Sequence, residues 1–157
     1  MSEPTLAVKT VLFLCTGNYY RSRFAEIVFN SLAEANDLLW RADSRGLQLT
    51  GANYGPISQH TITGLEPLKI SPPDPVRFPI RVSEADLAAA SLIVALKEAE
   101  HRPMFEMQFP AWTARVEFWQ IHDIDCCEPA DALPELLATI VDLVARLEAQ
   151  ERMTAEE

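Results

Sequence analysis

The stretch from residue 11 to residue 22, VLFLCTGNYYRS, constrains the fold of this chain more than any other. Its first four residues are apolar, which is typical of a buried strand. After it, apolar side chains recur at helical spacing, namely Phe24, Ile27, Val28 and Leu32. The loop between strand and helix aims backbone N–H groups and the positive end of the helix dipole at one point. The stretch therefore predicts an anion-binding loop.

The residue types in this loop suit chemistry on an anion. Cys15 opens the loop, and a thiol at a helix N-terminus beside an arginine is stabilised as the nucleophilic thiolate. Arg21 closes it with a planar fork of donors that matches two oxygens of a phosphate-like dianion. Gly17 and Asn18 tolerate left-handed backbone angles, which a nest of inward-pointing amides requires. Ser22 is placed to hydrogen-bond the Cys15 sulfur and make it a better leaving group.

Cys15 and Arg21, with five residues between them and Ser22 after them, form the C-x5-R-[ST] signature of cysteine-dependent protein tyrosine phosphatases. The wording CTGNYYRS resembles the low-molecular-weight class, whose usual pattern is C-x-G-N-x-C-R-S-P. Five positions match: Cys15, Gly17, Asn18, Arg21 and Ser22. Two differ, because Tyr20 stands where the family often has a second cysteine and Arg23 replaces the proline. The resemblance implies that the substrate is bound by loop residues Thr16, Gly17, Asn18, Tyr19, Tyr20 and Ser22.

Strands and helices alternate along the rest of the chain. Apolar runs predict four strands, at residues 9–14, 38–44, 91–96 and 116–121. The clearest helix runs from Pro134 to about Gln150 and carries an apolar stripe. Such alternation predicts an α/β fold, with a parallel sheet and helices on both faces. The resemblance implies strand order 2-1-3-4, in one domain that spans residues 1–157.

The resemblance also concerns the support of the loop. It implies that Asn18, Ser22 and Ser44 form a hydrogen-bond network that holds the loop rigid. Leu96 and Lys97 stand where the family commonly has Met-Asp. We therefore expect the support around the loop to differ from that in a typical member.

A phosphatase also needs an acid to protonate the leaving oxygen. The segment after the predicted fourth strand offers Asp123, Asp125 and Glu128. The family places its general acid in an Asp-Pro pair shortly after that strand. Asp123 fits best by its distance from Trp119, but Ile124 follows it where proline is expected. Asp123 is therefore the predicted acid, and Asp125 remains the alternative.

Composition argues against several classes of function. The 157-residue chain has a net charge of −10, which disfavours nucleic acid or an anionic membrane as a partner. It has no apolar run of membrane-spanning length and no secretory signal at its N-terminus, so a cytoplasmic location is expected. His60 and His101 lack ligand-like spacing and are interpreted as surface or capping residues. Neither a metal nor any other cofactor is predicted.

Together with the resemblance, these residues predict hydrolysis of a phosphomonoester in two steps. Cys15 attacks phosphorus to form a cysteinyl-phosphate while Asp123 protonates the leaving group, and water then hydrolyses the intermediate with Asp123 as base. The substrate is a phosphorylated protein or a small phosphomonoester. Tyr19 stands where phosphotyrosine-specific members tend to carry an aliphatic residue and phosphoarginine-specific members a threonine. The choice of substrate therefore stays open.

Two other functions also stay open. Arsenate reduction on a related fold needs further thiols, which Cys126 and Cys127 would supply, although thioredoxin-coupled reductases carry theirs after the third strand. A phosphate-binding interaction protein without turnover is favoured if the missing Asp-Pro pair means a missing acid.

Cys126 and Cys127 also suggest a hypothesis of redox control. Because Tyr20 replaces the usual second cysteine, Cys126 or Cys127 would capture oxidised Cys15 reversibly.

Overall fold

A four-stranded parallel sheet organises the chain, in the order β2-β1-β3-β4. The computed structural model describes residues 7–49, 51, 53, 55–121 and 129–155. The strands are β1 (Lys9–Cys15), β2 (Trp40–Gly46), β3 (Leu92–Ala95) and β4 (Val116–Phe118). The helices are α1 (Arg21–Ala35), α2 (Gln59–Leu65), α3 (Glu84–Ala89), α4 (Glu98–Gln108) and α5 (Pro129–Ala155), with 3-10 turns at Glu66–Leu68 and Pro110–Arg115. The predicted fold class and strand order are confirmed.

The side chains of β1 alternate between two apolar layers, as the period of a strand requires. Val11 and Phe13 belong to the layer formed with α1 and α5, and Leu12 and Leu14 to the layer formed with α3 and α4. All four are 0–2% exposed. The near-continuous apolar run that predicted a buried strand therefore reflects helices on both faces.

The ends of several elements differ from the prediction. β4 stops at Phe118, three residues before the predicted end, although Trp119 and Ile121 still donate their backbone N–H groups to Ala95 and Leu96. α5 begins at Pro129, before the predicted start at Pro134. Among the described helices, none combines the length and the apolar character that crossing a membrane requires.

Replacing Phe29 tests how much the apolar layer between the sheet and α1 contributes to stability. Its ring is fully buried and packs edge-on against Phe13 of β1, with 6.0 Å between ring centroids. Phe29→Ala should lower the free energy of unfolding by about 3–5 kcal/mol, because the ring leaves a cavity. Met107→Ala, at a side chain that is 86% exposed, is the control and should change it by less than about 0.5 kcal/mol. Urea unfolding followed by circular dichroism measures both, and equal effects would contradict the assignment of Phe29 to the core.

Candidate active site

The predicted anion-binding loop connects the end of β1 to the start of α1, at the carboxyl edge of the sheet. Cys15 is the last residue of β1 and Arg21 the first of α1. Because β1 lies between β2 and β3, the loop emerges from the middle of the sheet, where doubly wound folds place their ligands. Cys15 is 2% exposed, and Arg21 is 7% exposed.

The end of β2 approaches this loop closely. Gly46 is the register partner of Cys15, and a side chain at this glycine would meet the Thr16 carbonyl oxygen at 2.8 Å. Beyond it, the N–H groups of Leu47 and Gln48 donate to the carbonyls of Cys15 and Thr16, each at 2.9 Å. Backbone contacts from β2 therefore fix the first turn of the loop.

Asn18 is bonded through every donor and acceptor of its side-chain amide. It is completely buried and adopts the left-handed conformation, with φ of 51°. Its Nδ2 donates to Ser22 Oγ and to Ser44 Oγ, each at 2.9 Å. Its Oδ1 accepts from Arg77 Nη1 and from the backbone N–H of Ile80, each at 3.0 Å. All four hydrogen-bonding positions of the amide are thus occupied, and the implied Asn18–Ser22–Ser44 network is present.

The Asn18 amide also donates to the two serine hydroxyls beside it. Ser22 Oγ accepts from Asn18 Nδ2 and lies 2.9 Å from Cys15 Sγ; when the sulfur is a thiolate, the Ser22 hydroxyl is the donor of that bond. Ser44 Oγ accepts from the same amide group and donates to Glu26 Oε1 at 2.5 Å. Cys15 therefore receives a hydrogen bond of the kind that stabilises a thiolate.

Gly17 and Asn18 were both predicted to adopt left-handed backbone angles, but only Asn18 does so. Gly17 does not have a positive φ, and a side chain there would make only an ordinary contact, at 3.5 Å from Asn53 Nδ2. The reason predicted for Gly17 is therefore wrong. Asn18 takes the left-handed position instead, where a short polar side chain is tolerated.

Two arginines, Arg23 and Arg77, hold the loop through hydrogen bonds. Arg23, which is 3% exposed, donates to the carbonyls of Asn18, Pro56 and Arg77 at 3.4, 2.9 and 2.8 Å. Burial and the nearby charge of Arg77 lower the pKa of Arg23 to about 10. The residue that replaces the usual proline thus ties the loop to two distant segments.

Arg77 connects the loop to β2 and α1. Besides Asn18, it reaches the Ser44 carbonyl at 2.9 Å and Glu26 Oε1 at 3.0 Å. Burial raises the pKa of Glu26, although the Ser44 hydrogen bond and the Arg77 charge act in the opposite direction. Sequence reasoning missed Arg77 and Glu26, because neither follows a periodic pattern or a recognised motif.

A carboxylate from α4 pairs with Arg21. Arg21 Nη1 and Nη2 donate to Glu100 Oε2 and Oε1 at 3.2 and 3.3 Å, and Thr16 Oγ1 donates to Glu100 Oε1 at 2.5 Å. Partial burial would raise the pKa of Glu100, but the bonds from Thr16 and Arg21 and the Arg21 charge outweigh it and lower the pKa to about 2. Glu100 was not predicted, because it lies 79 residues from Arg21 along the chain and belongs to no recognised motif.

His101 differs from its interpretation as a surface residue. Its side chain is fully buried, with Nδ1 accepting from the Lys97 backbone N–H at 3.0 Å and Nε2 3.2 Å from Thr16 Oγ1. The first of these bonds ties the ring to the residue that precedes α4. His60 is exposed, as predicted.

The remaining predicted residues divide between described and undescribed parts of the chain. Tyr20 is 8% exposed and packs edge-on against His60, and burial raises the pKa of Tyr20 to about 12. Tyr19 is half-buried. The predicted acids and the further thiols lie outside the described residues: Asp123, Asp125, Cys126, Cys127 and Glu128. Within the described ranges, His, Cys, Asp and Glu do not gather in groups that would hold a metal ion.

A cavity of about 290 Å³ opens beside the loop. Its lining consists of Gly17, Leu49, Gly51, Asn53, Gly55, Phe78 and Pro79. Phe78 is 65% exposed and Leu49 is 37% exposed, so an apolar wall faces solvent next to the anion-binding loop.

Comparisons with known proteins agree with this geometry. The family model described as low molecular weight phosphotyrosine protein phosphatase matches residues 10–150. No curated protein matches the sequence.

Several solved structures share the fold. A low molecular weight protein tyrosine phosphatase from T. tengcongensis is 24% identical, with a TM-score of 0.75 over 88% of this chain and 99% of that one. YfkJ from Bacillus subtilis is 24% identical, with a TM-score of 0.76 over 94% and 99%. The YwlE arginine phosphatase from Geobacillus stearothermophilus is 20% identical, with a TM-score of 0.74 over 92% and 96%.

The family model covers nearly the whole chain, and the sheet order is the one that the resemblance implied. The chain therefore belongs to the low molecular weight phosphotyrosine protein phosphatase family and is a cysteine-dependent phosphatase.

Proposed function

We propose that this protein hydrolyses phosphomonoesters with Cys15 as the nucleophile and the 15–22 loop as the phosphate site. The observation that carries the proposal is the 2.9 Å hydrogen bond between Ser22 Oγ and Cys15 Sγ, in which Ser22 is the donor once Cys15 is ionised. A donor aimed at the sulfur stabilises the thiolate both before it attacks and when it leaves. The rigid support of Asn18 keeps this donor in place.

In the first step, Cys15 Sγ attacks phosphorus and forms an S–P bond while the bond to the leaving oxygen breaks. Asp123 gives its proton to that oxygen. In the second step, Asp123 takes a proton from water, which attacks the cysteinyl-phosphate and releases inorganic phosphate and the thiolate. Arg21 and the loop amides hold the phosphoryl oxygens throughout and offset their negative charge.

The substrate that we propose is a phosphorylated protein or a small phosphomonoester. The cavity beside Gly17 supports this choice, because Phe78 and Leu49 offer an apolar wall to the group that carries the phosphate. Structural neighbours include proteins named as tyrosine phosphatases and as arginine phosphatases, so both phosphoamino acids belong in the assays. With a net charge of −10, the chain has little affinity for nucleic acid or anionic membranes.

The proposal includes a cytoplasmic location and a single phosphatase domain over residues 1–157. A reducing compartment suits the mechanism, because Cys15 must remain a free thiol. Assays of phosphate release, arsenate reduction and phosphate binding separate this proposal from the two alternatives. An arsenate reductase would reduce arsenate in the presence of thiols and would not release phosphate from the substrates. A phosphate-binding interaction protein would bind phosphate without turnover.

Cys15→Ser tests the nucleophile. Turnover of p-nitrophenyl phosphate should fall by at least about 1,000-fold, because a serine hydroxyl at this site is a far weaker nucleophile than a thiolate. Binding of inorganic phosphate, measured by calorimetry, should persist because the amides and Arg21 remain. Turnover close to that of the wild type would exclude covalent catalysis by Cys15.

Asp123→Asn tests the general acid, with Asp125→Asn as its matched control. If Asp123 protonates the leaving oxygen, its loss should slow phenyl phosphate by about 100-fold or more and p-nitrophenyl phosphate far less, since nitrophenolate leaves without help. Asp125→Asn should change both rates little. Steady-state kinetics on the two substrates gives the comparison. The opposite pattern would assign the acid to Asp125, and no effect from either variant would contradict acid catalysis by this segment.

A further inference from the structure

Glu100 joins the two ends of the phosphate loop. It lies in the first turn of α4, and its Oε1 accepts from Thr16, the residue after the nucleophile. Both of its oxygens accept from Arg21, the residue that closes the loop. One carboxylate thus bonds to residues on either side of the amides that face the phosphate site.

Hydrogen bonds behind the carboxylate fix its position. The Lys97 N–H donates to His101 Nδ1, so in the neutral ring the proton lies on Nε2 and points to Thr16 Oγ1. The hydroxyl proton of Thr16 then points to Glu100. This chain of donors, His101 to Thr16 to Glu100, begins at a fully buried ring, so the carboxylate has little freedom to move.

The carboxylate affects Arg21 through both geometry and charge. A pair that engages Nη1 and Nη2 together fixes the plane of the guanidinium, which a single bond would leave free to rotate. Its negative charge, however, repels a phosphate dianion. Glu100 therefore does not serve to increase anion affinity, and its contribution must come from orientation.

We propose that Glu100 is a positioning residue for the phosphatase reaction. It holds Arg21 in the orientation that suits the trigonal-bipyramidal transition state, while its charge weakens the binding of ground-state phosphate. The inference rests on the function proposed above for the loop.

Glu100→Gln tests this role, because it keeps the size of the side chain but removes the charged, two-point pair. Glu98→Gln is the matched control: it makes the same change in the same helical turn, at a side chain bonded to Arg102 and Gln120 instead of the loop. The measurements are kcat and KM for p-nitrophenyl phosphate, and calorimetric dissociation constants for inorganic phosphate and orthovanadate. Vanadate bound to a thiolate mimics the transition state, whereas phosphate mimics the ground state.

In the Glu100 variant, we expect kcat and vanadate affinity to fall while phosphate affinity does not. In Glu100→Gln, kcat should fall by about 10- to 100-fold and vanadate should bind at least about 10-fold more weakly, because Arg21 is misaligned. Phosphate should bind as tightly as before or more tightly, because a repulsive charge is gone. Glu98→Gln should match the wild type in all four quantities. In an Arg21→Lys background, Glu100→Gln should have little further effect.

Other outcomes overturn the inference. Tighter binding of both anions with equal or higher kcat would make Glu100 a competing internal anion, and parallel weakening of both would make its role generally structural. Unchanged constants, or a full effect in the Arg21→Lys background, would show that it does not act through Arg21. Thermal unfolding checks that each variant folds, and Thr16→Val, expected to give the same split, replaces Glu100→Gln if that variant does not. A wild type without turnover would refute the proposed function, whereas the two anion constants would still test Glu100.

Discussion

The phosphate loop depends on the side-chain amide of Asn18. A five-residue connection between a strand and a helix has few internal bonds, and this one carries a buried residue in the left-handed conformation. The amide compensates by donating to Ser22 and Ser44 and accepting from Arg77 and Ile80. A buried amide that fills every hydrogen-bonding position has one favourable orientation, and the loop takes its shape from it. The bond from Ser22 to the nucleophile is one result.

The second constraint is electrostatic. This acidic chain gathers the buried Arg21 and Arg23 and the half-buried Arg77 around one loop, and each is matched by carbonyls or by a carboxylate. Burying a charge is costly unless it is fully paired, and removing one partner of a buried pair commonly costs about 3–5 kcal/mol. Arg23, Arg77 and Glu26 thus form an interdependent support, while Arg21 and Glu100 form a separate pair at the end of the loop.

The sequence predicted the parts of this structure that have local signals. The strand, the loop and the helix around residues 11–32 follow from apolar periodicity and a short motif, and the resemblance supplied the strand order and the Asn18–Ser22–Ser44 network. Arg77 and Glu100 could not be found in this way, because they reach the loop from 59 and 79 residues along the chain. His101 was interpreted as a surface or capping residue because it lacks ligand-like spacing, whereas its ring is buried and lies beside Thr16. Such contacts depend on how distant segments pack, which periodicity does not encode.

The central claim is that the phosphoryl group of the substrate is transferred to the Cys15 sulfur before water releases it as phosphate. The most direct measurement is rapid acid quenching of the enzyme during turnover of a phosphorylated substrate, followed by peptide mass spectrometry under conditions that preserve thiophosphates. The account predicts a phosphoryl group on the peptide that contains Cys15, present during turnover and lost when the substrate is exhausted. A phosphoryl group on any other residue, or none during demonstrable turnover, would contradict it.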